Sequence, residues 1–302
     1  MDIYLPIAGQ SVNALLMIAL GTLVGLLSGM FGVGGGFLTT PLLIFYGIPP
    51  TVAVASATTQ ITGSSVSGAY AHWRRGGVDF KMGMVMIAGG AIGSLAGAGL
   101  FRLLQVSGQI DLVIGFLYVL LLGGIGVLML KDAIVALGWV KLDEPEDRPR
   151  HNRWVASLPL RWRFYASGLY LSPIAPLALG FAAGMMTVLL GVGGGFILVP
   201  AMIYVLGMAA RVVVGTSLVM ILAVSAVSTM IHATTTHAVD IVLAGLLLVG
   251  GVIGAQYGAM LATKLKPDLL RFALATIILL VALRMLLGLT WRPDEIFSIE
   301  YL

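Results

Sequence analysis

The chain alternates long apolar stretches with short polar ones, and this pattern predicts ten hydrophobic segments. Their approximate bounds are 12–31, 37–48, 52–72, 82–101, 110–130, 171–190, 196–207, 212–232, 241–263 and 269–289. Most are about 20 residues long, the length of helix that crosses about 30 Å of hydrocarbon. The second and seventh segments are much shorter and are predicted to be half-spans or re-entrant pieces. The pattern therefore predicts an all-α polytopic membrane protein.

The composition supports this prediction. Apolar residues make up 59% of the 302 residues, and Lys, Arg, Asp and Glu together only 10%, against about 25% in an ordinary soluble domain. These values exclude a soluble enzyme, a nucleic-acid-binding module and a disordered chain. The sequence contains no cysteine, which excludes a disulfide framework, a thiol nucleophile and a cysteine metal site. The first segment is expected to remain in the mature protein, because it lacks the features of a cleavable signal.

The second half of the sequence repeats the first. Residues 32–37, Gly-Val-Gly-Gly-Gly-Phe, recur at 191–196, an offset of 159. Further matches follow in the same order at offsets of 159 to 161: Pro41 and Pro200, Gly47 and Gly207, His72 and His232, Asp79 and Asp240, and the ladders Gly89-Gly93-Gly97 and Gly250-Gly254-Gly258. Such a run indicates an internal duplication. The predicted organisation is a first transmembrane repeat at 1–131, a linker at 132–170 and a second transmembrane repeat at 171–302.

The positions of Lys and Arg predict opposite orientations for the two repeats. The loop after the third segment carries Arg74, Arg75 and Lys81, whereas its counterpart at 233–239 carries neither residue type. The positive-inside rule then places the basic linker in the cytoplasm and both termini outside, with fourteen of the 17 Lys and Arg inside. The halves are thus predicted to be inverted-topology repeats of about five segments each. Five crossings per half, or three crossings plus a re-entrant hairpin, both satisfy the charges and stay open here.

The doubled glycine motif predicts a helix break in each half. Glycine permits positive φ and close backbone approach, and a short helix after such a break presents free N–H groups at its positive dipole end. Two such breaks near the membrane midplane are typical of secondary transporters. The N–H groups predicted to hold an anion belong to Gly34, Gly35, Gly36, Gly193, Gly194 and Gly195. The two glycine ladders are instead predicted to be helix-packing faces.

The third and eighth segments are unusually polar for membrane spans. Between residues 56 and 67 the third segment carries seven hydroxyl residues and one glutamine. Part of this face is predicted to line the substrate path, because an unpaired amide in hydrocarbon costs several kcal/mol. The predicted side-chain donors are Thr39, Thr40, Thr59, Gln60 and Ser217.

Three cationic or titratable residues are candidates for a proton or charge role. His72 and His232 end the third and eighth segments, and Arg284 lies inside the last one. Asp79, Asp111, Asp240 and Asp268 all lie at segment ends, whereas cation carriers usually place a carboxylate at depth. This distribution favours an anionic or neutral substrate and indicates neither a metal site, a cofactor nor a hydrolase.

The two glycine motifs also carry a family resemblance. Residues 25–41 read Gly-x-x-Ser-Gly-Met-Phe-Gly-Val-Gly-Gly-Gly-Phe-x-x-x-Pro, with a second copy between residues 180 and 200. Together with residues 53–59 and 213–218, these motifs resemble the TauE/SafE family of sulfite exporters over nearly the whole chain apart from the linker. The resemblance implies a membrane permease for sulfite, thiosulfate or an organosulfonate. In one departure, Leu198 and Val199 replace Thr39 and Thr40 in the second copy.

The function expected from these features is secondary transport of a small sulfur-containing anion across a bacterial inner membrane. The mechanism expected is alternating access around a site between the repeats. Two alternatives stay open: a passive anion channel on the same scaffold, and uptake of thiosulfate-like anions rather than export. An enzyme is disfavoured because the sequence shows no catalytic cluster. The expected partners are the anion and membrane lipids, not nucleic acid. Coupling to protons and a homodimer remain open.

Overall fold

The structure is a computed structural model that describes residues 2–31, 35–137, 159–262 and 267–290. Ten α-helices lie in these ranges: α1 (Ala14–Phe31), α2 (Gly36–Phe45), α3 (Pro50–Arg74), α4 (Phe80–Val106), α5 (Ile110–Ala136), α6 (Ile174–Leu190), α7 (Gly195–Tyr204), α8 (Ala210–Ile231), α9 (Ile241–Ala262) and α10 (Pro267–Thr290). Two antiparallel strand pairs precede α1 and α6: β1 (Asp2–Leu5) with β2 (Gln10–Asn13), and β3 (Trp162–Phe164) with β4 (Leu169–Leu171).

Five of these helices contain stretches long and apolar enough to cross a membrane. They are Phe80–Val106, Ile110–Val135, Val212–Thr236, Ile241–Gly258 and Phe272–Thr290. Helix α3 is also long, at 25 residues, but carries the polar run noted above. The predicted fold class, an all-α polytopic membrane protein, is confirmed.

Two ends of the helix bundle can be distinguished by their charges. At one end the Lys81 ammonium donates to the Arg163 carbonyl at 3.1 Å, next to the C-terminus of α3 with Arg74 and Arg75. We call this the basic end. The other end, which we call the distal end, holds the β1–β2 hairpin with the N-termini of α1, α3 and α9, joined by the buried side chains of Leu5, Val12, Met17, Val52 and Leu243.

Both short helices fold back toward the end from which the chain came. Leu43 and Ile48, at and after the C-terminus of α2, lie in the distal cluster beside the start of α1. Met202 and Leu206 likewise pack with Phe164 beside the start of α6. The pairs α1–α2 and α6–α7 are therefore helical hairpins that enter the bundle from opposite ends. Of the two arrangements that the sequence left open, this geometry favours the re-entrant one.

Helices of the two halves pack against each other: the first helix of each half contacts the fourth helix of the other half, as α1 with α9 and α6 with α4. Gly21, Gly25 and Gly29 of α1 lie against Leu247, Gly251 and Ala255 of α9, so these helices run parallel. The pair α4 and α6 is also parallel, with Gly89, Gly93 and Gly97 lying against Leu177, Phe181 and Met185. A Cβ on any of these six glycines would stand 2.0–3.0 Å from a carbonyl oxygen of the partner helix. The other predicted ladder, Gly250-Gly254-Gly258, is as tightly packed, at 2.0–2.1 Å from carbonyl oxygens of α1. The predicted packing role of the ladders is confirmed.

Helices at the same position in the two repeats, by contrast, run antiparallel where they meet, as α3 with α8 and α5 with α10. Thr62 Oγ1 of α3 donates to Ser225 Oγ of α8 at 3.0 Å, and Gly68 lies near Leu218. Gly115 and Gly126 of α5 lie against Leu289 and Leu279 of α10. The first and second halves thus pass each other in opposite directions.

Each strand pair is joined to a helix of the other half of the chain by one buried aspartate: β3–β4 by Asp79 and β1–β2 by Asp240. Asp79 precedes α4, and its carboxylate accepts from Met82 N at 3.0 Å and from the hydroxyl and N–H of Ser167 at 2.6 and 3.0 Å. Asp240 precedes α9 and accepts from Ile7 N and Leu243 N, each at 3.1 Å. Each carboxylate caps a helix N-terminus. The matched aspartates of the repeat are therefore structural caps.

The repeat offset changes from 160 at His232 to 161 at Asp240, and the structure shows where the extra residue sits. A single π-helical turn covers His232–Thr236, and such turns accommodate one inserted residue in an α-helix. After it, His237 adopts φ of 49° at the position matching Gly76, whose φ is 67°. The left-handed conformation costs a non-glycine residue about 1 kcal/mol.

We therefore expect His237→Gly to stabilise the protein by about 0.5–1 kcal/mol, because glycine adopts this conformation without strain. Thermal unfolding of the purified protein measures the effect. The matched control is Gly76→His, which should lower stability by a similar amount. A His237→Gly protein that melts below the wild type would show instead that the imidazole makes a stabilising contact.

Candidate functional site

The second glycine motif forms a tightly held helix break. Gly191, Gly193 and Gly194 all have positive φ, between 69° and 73°. The carbonyls at the end of α6 accept side-chain donors: His232 Nε2 donates to Val188 O at 3.0 Å, and the Tyr118 hydroxyl donates to Leu190 O. These bonds satisfy carbonyls that the end of a helix leaves unpaired. The side chains of Tyr118 and His232 are completely buried.

The first glycine motif begins α2 in the same way. Gly35 has φ of 67°, and its carbonyl accepts from Leu38 N at 3.1 Å. The first N–H groups of α2 have no acceptor within their own helix, so they point out of its N-terminus with the positive end of the helix dipole. The predicted donor Gly34 lies outside the described residues.

The two breaks meet inside the bundle. The rings of Phe37 and Phe196, one residue into each short helix, are stacked with centroids 4.5 Å apart. A Cβ on Gly36 would lie 2.5 Å from Gly191 O and 2.1 Å from Ile61 Cδ1. Gly193 contacts the same Ile61 side chain. Gly36 and Gly193 are therefore closely packed and not open to a ligand at their Cα atoms.

A pocket opens beside the first break. It is small, about 10 Å³, and all its lining residues are uncharged: Val24, Gly25, Ser28, Gly35, Gln60, Ser64, Gly251 and Ala255. They come from α1, α3, α9 and the turn before α2. Of the predicted site residues, Gly35 and Gln60 line this pocket directly.

A hydrogen-bond chain orients the Gln60 amide. The Thr39 hydroxyl donates to Gln60 Oε1 at 3.0 Å, and Gln60 Nε2 donates to Leu247 O at 3.4 Å. The amide oxygen accepts from Thr39 and one N–H donates to Leu247 O, so the second N–H of the amide is left for a ligand. Gly251 permits this placement, since a Cβ there would stand 3.0 Å from Nε2. Thr39 is thus a positioning residue for the Gln60 amide.

The pocket is closed toward the distal end. Helices α1, α3 and α9 all run from the distal to the basic end, and the layer of Val24, Gln60 and Gly251 is buried. One turn closer to the basic end, Ser28, Ser64 and Ala255 are partly exposed. On the distal side the pocket is followed by side chains with no exposure: Met17, Leu43, Ala53, Leu243 and Leu247. The pocket therefore communicates with the basic end.

The other predicted site residues lie elsewhere. Thr40 is buried against Gly191, and Gly194 packs on Ala183 and Thr187. Thr59 lies near Thr229 on the α3–α8 contact, with their hydroxyl oxygens 3.5 Å apart. Gly195, at the start of α7, is buried, and the hydroxyl of the buried Ser217 donates to Val214 O in its own helix. None of these residues is among those that line the pocket.

The three candidates for a proton or charge role have different surroundings, and none of them lines the pocket. His72 lies near the basic end, where its Cβ stands 3.0 Å from a Cβ placed on Gly215. His232 is buried with the Phe101 ring centroid 5.0 Å away. The exposed Arg284 guanidinium stands 5.2 Å from the Phe45 ring centroid, at the C-terminus of α2.

Six of the eight pocket residues were not among the predicted site residues: Val24, Gly25, Ser28, Ser64, Gly251 and Ala255. Ser28 belongs to the motif Gly-x-x-Ser-Gly at residues 25–29, but the pocket residues on α9, Gly251 and Ala255, are more than 200 residues away in sequence. Gly251 adjoins the predicted packing ladder and also contacts the backbone of α1, but a Cβ on it would meet the Gln60 amide, whereas a Cβ on Gly250 would meet Ile18 O. Only the pairing of α1 with α9 brings these residues together.

Comparison with known proteins agrees with this architecture. The profile of the family described as Sulfite exporter TauE/SafE matches residues 17–285, which include all ten helices except the ends of α1 and α10. The chain belongs to the TauE/SafE family. The family resemblance seen in the glycine motifs is thereby confirmed, and the protein is a membrane transporter rather than an enzyme.

The matched relatives carry names of the same kind. The Probable membrane transporter protein YjnA of Bacillus subtilis is 29% identical over 287 residues, which cover 92% of this chain and 100% of that protein. A Probable membrane transporter protein of Xylella fastidiosa is 28% identical, over 93% of this chain and 96% of its own length. The Arabidopsis thaliana Sulfite exporter TauE/SafE family protein 3 is 31% identical over 116 residues, 35% of this chain and 24% of that protein. No solved structure matches the chain significantly.

Proposed function

We propose that this TauE/SafE transporter moves a small sulfur-containing anion, such as sulfite, thiosulfate or an organosulfonate, through the pocket beside Gly35. The observation that carries the proposal is the chemistry of that pocket. It combines the N-terminus of a short helix, the oriented Gln60 amide and the hydroxyls of Ser28 and Ser64, with no carboxylate among its lining residues.

These groups favour an oxyanion over a cation. Helix N–H groups and amide protons are donors directed at negative charge, and each hydrogen bond to a charged group contributes about 1.5–3 kcal/mol. Neutral donors also allow release, which a transporter requires in every cycle. A buried Lys or Arg would hold a monovalent or divalent anion more tightly.

The proposed mechanism is alternating access between two inverted repeats. It is supported by the antiparallel contacts of equivalent helices and by the hairpins α1–α2 and α6–α7, which enter from opposite ends. In this proposal the basic end faces the cytoplasm of a bacterial cell, the protein lies in the inner membrane and the linker at 132–170 is cytoplasmic. Opening the buried distal layer would expose the same pocket to the other side.

The orientation can be tested at a matched pair of exposed positions. Arg75 follows α3 at the basic end, and Thr235 is its counterpart at an offset of 160. In intact cells an impermeant thiol reagent should label Thr235→Cys but not Arg75→Cys, and both once the cells are broken. The native chain has no cysteine to interfere. Equal labelling of both variants in intact cells would contradict the inverted orientation.

The substrate class can be tested with a panel of sulfite, thiosulfate, organosulfonates and simple carboxylates. An anion at about 100 times its dissociation constant should stabilise the purified protein by about 2.7 kcal/mol. Gln60→Ala should then weaken binding about tenfold to a hundredfold, because it removes a donor to a charged ligand. Calorimetry measures the change, and Thr235→Ala is the control. Binding within twofold of wild type would remove Gln60 from the site.

A further inference from the structure

The duplication predicts a twin of the pocket in the second half. Applying the offsets of 159 to 161 pairs each lining residue with a counterpart: Val24 with Ala183, Gly25 with Gly184, Ser28 with Thr187, Gly35 with Gly194, Gln60 with Met220, Ser64 with Val224, Gly251 with Gly90, and Ala255 with Ser94. The glycines are retained, while the two positions on the third helix of each half change from polar to apolar.

The backbone frame of the twin is the same as that of the pocket. A Cβ on Gly35 would contact Val24 Cγ1 at 3.1 Å and Ser28 Cβ at 3.3 Å. A Cβ on Gly194 would contact the matching residues, Ala183 at 3.0 Å and Thr187 at 3.4 Å. The turn before each short helix therefore packs on its first helix in the same way.

The space within that frame is filled in the second half. A Cβ on Gly90 would stand 2.5 Å from Val224 Cγ2 and 2.9 Å from Met220 Cε. Ser94, Thr187, Met220 and Val224 are at most 1% exposed, whereas Ser28, Ser64 and Ala255 of the pocket are partly exposed. The apolar side chains of Met220 and Val224 thus occupy the place that is open beside Gln60 and Ser64.

We propose that each chain has one anion site, in the first half only, and that Ser28 and Ser64 are substrate-binding residues there. The proposal rests on the proposed function for the class of ligand. The second N–H of the Gln60 amide and the Ser28 hydroxyl supply neutral donors around one small volume, which suits the several oxygens of a sulfur oxyanion. The Ser64 hydroxyl donates to Ile61 O in its own helix at 3.1 Å and would have to rotate to reach an anion. The twin has two hydroxyls and no amide: Thr187 donates to Ala183 O in its own helix at 2.7 Å, and Ser94 donates to Gly184 O at 3.4 Å.

The asymmetry gives the two hairpins different roles. The second break is held by Tyr118 and His232, which bond the carbonyls at the end of α6. The hairpin α6–α7 is then a fixed framework, and α1–α2 carries the substrate. Transport through one site also gives a binding stoichiometry of one anion per chain.

Single cysteines at twin positions test the proposal without knowledge of the substrate. The variants are Ser64→Cys with Val224→Cys, and Ser28→Cys with Thr187→Cys, in the purified full-length protein. The reagent is sulfonatoethyl methanethiosulfonate, a small anion that modifies thiols. Labelling of the two first-half variants should be at least about tenfold faster, because a buried thiol reacts only when its surroundings open.

Protection is measured in the same assay with two unreactive sulfonates, ethanesulfonate and sulfoacetate, because sulfite and thiosulfate would themselves consume the thiol reagent. Faster labelling of both first-half variants, slowed by either anion, supports the proposal. Equal labelling within either twin pair would overturn the single site. Asymmetric labelling that neither anion slows would leave one open pocket but overturn its role as a sulfur-oxyanion site, so the two failures are distinguishable.

Discussion

Replacing Gly93 by valine is expected to remove most of the folded protein from the membrane. A Cβ at this position would lie 2.0 Å from Phe181 O of α6, and this oxygen belongs to a helix backbone that cannot rotate away. The two helices would have to separate along their whole contact. Overpacking commonly costs about 1–3 kcal/mol and sometimes more, against a total stability of about 5–15 kcal/mol.

The chain offers a matched control on the same helix. Gly99 of α4 has no atom within 4 Å of the position of a Cβ, so Gly99→Val should leave the yield of folded protein near that of wild type. The monodisperse fraction after detergent extraction measures both variants. Helix α9 offers a second matched pair of variants. A Cβ on Gly254 would lie 2.0 Å from Thr22 O, whereas a Cβ on Gly245 would have no atom within 4 Å. Wild-type amounts of folded Gly93→Val protein would contradict the close helix contact.

The double variant Gln60→Met, Ser64→Val is expected to fold but to lose binding and transport. It places in the first half the two residues that fill the twin space beside Gly90, so the packing they need already exists in this fold. Thr39 loses its bond to Gln60, but its hydroxyl lies 3.4 Å from Gly35 O and can donate there. The pocket would be occupied by side chains, as it is in the second half.

The control for this variant is Met220→Leu, which conserves volume in the twin and should cost less than about 1.5 kcal/mol. It should bind and transport as wild type does. Thermal unfolding verifies that the double variant is folded, and the anion panel measures binding. A folded double variant that still binds sulfite or thiosulfate with wild-type affinity would place the site elsewhere.

The sequence predicted the helices well because their signals are local and long. Each of the ten predicted segments coincides with one helix, and the breaks fall at the glycine motifs, where α6 ends at Leu190 and α7 begins at Gly195. The strand pairs were not predicted, because three or four residues are too few for a period-two pattern to be recognised. Their turns are joined to the helices by hydrogen bonds from Ile7 to Asp240 and from Ser167 to Asp79, which no local pattern reveals.

The site was predicted only in part because it depends on which helices become neighbours. Gln60 and Gly35 were recognisable as a buried amide and a break residue. Ser28, Ser64 and Gly251 become a site only where α1 and α9 are parallel and in contact. An anion site that also uses the N–H groups of Gly193, Gly194 and Gly195 stays a prediction. The pocket lies beside Gln60 in the first half, and in the second half Met220 stands at the matching position and packs against Gly90.

The most direct test of the account is a counterflow assay in proteoliposomes preloaded with unlabelled sulfite or thiosulfate. Radiolabelled anion of the same kind is added outside, and its accumulation is followed in wild-type and Gln60→Met, Ser64→Val vesicles. A carrier with one site exchanges the anions, so the wild type should accumulate label transiently and saturably, and the double variant should not. Flux without overshoot or saturation would identify a channel. Equal accumulation in both proteins would show that the anion does not pass through the pocket beside Gly35.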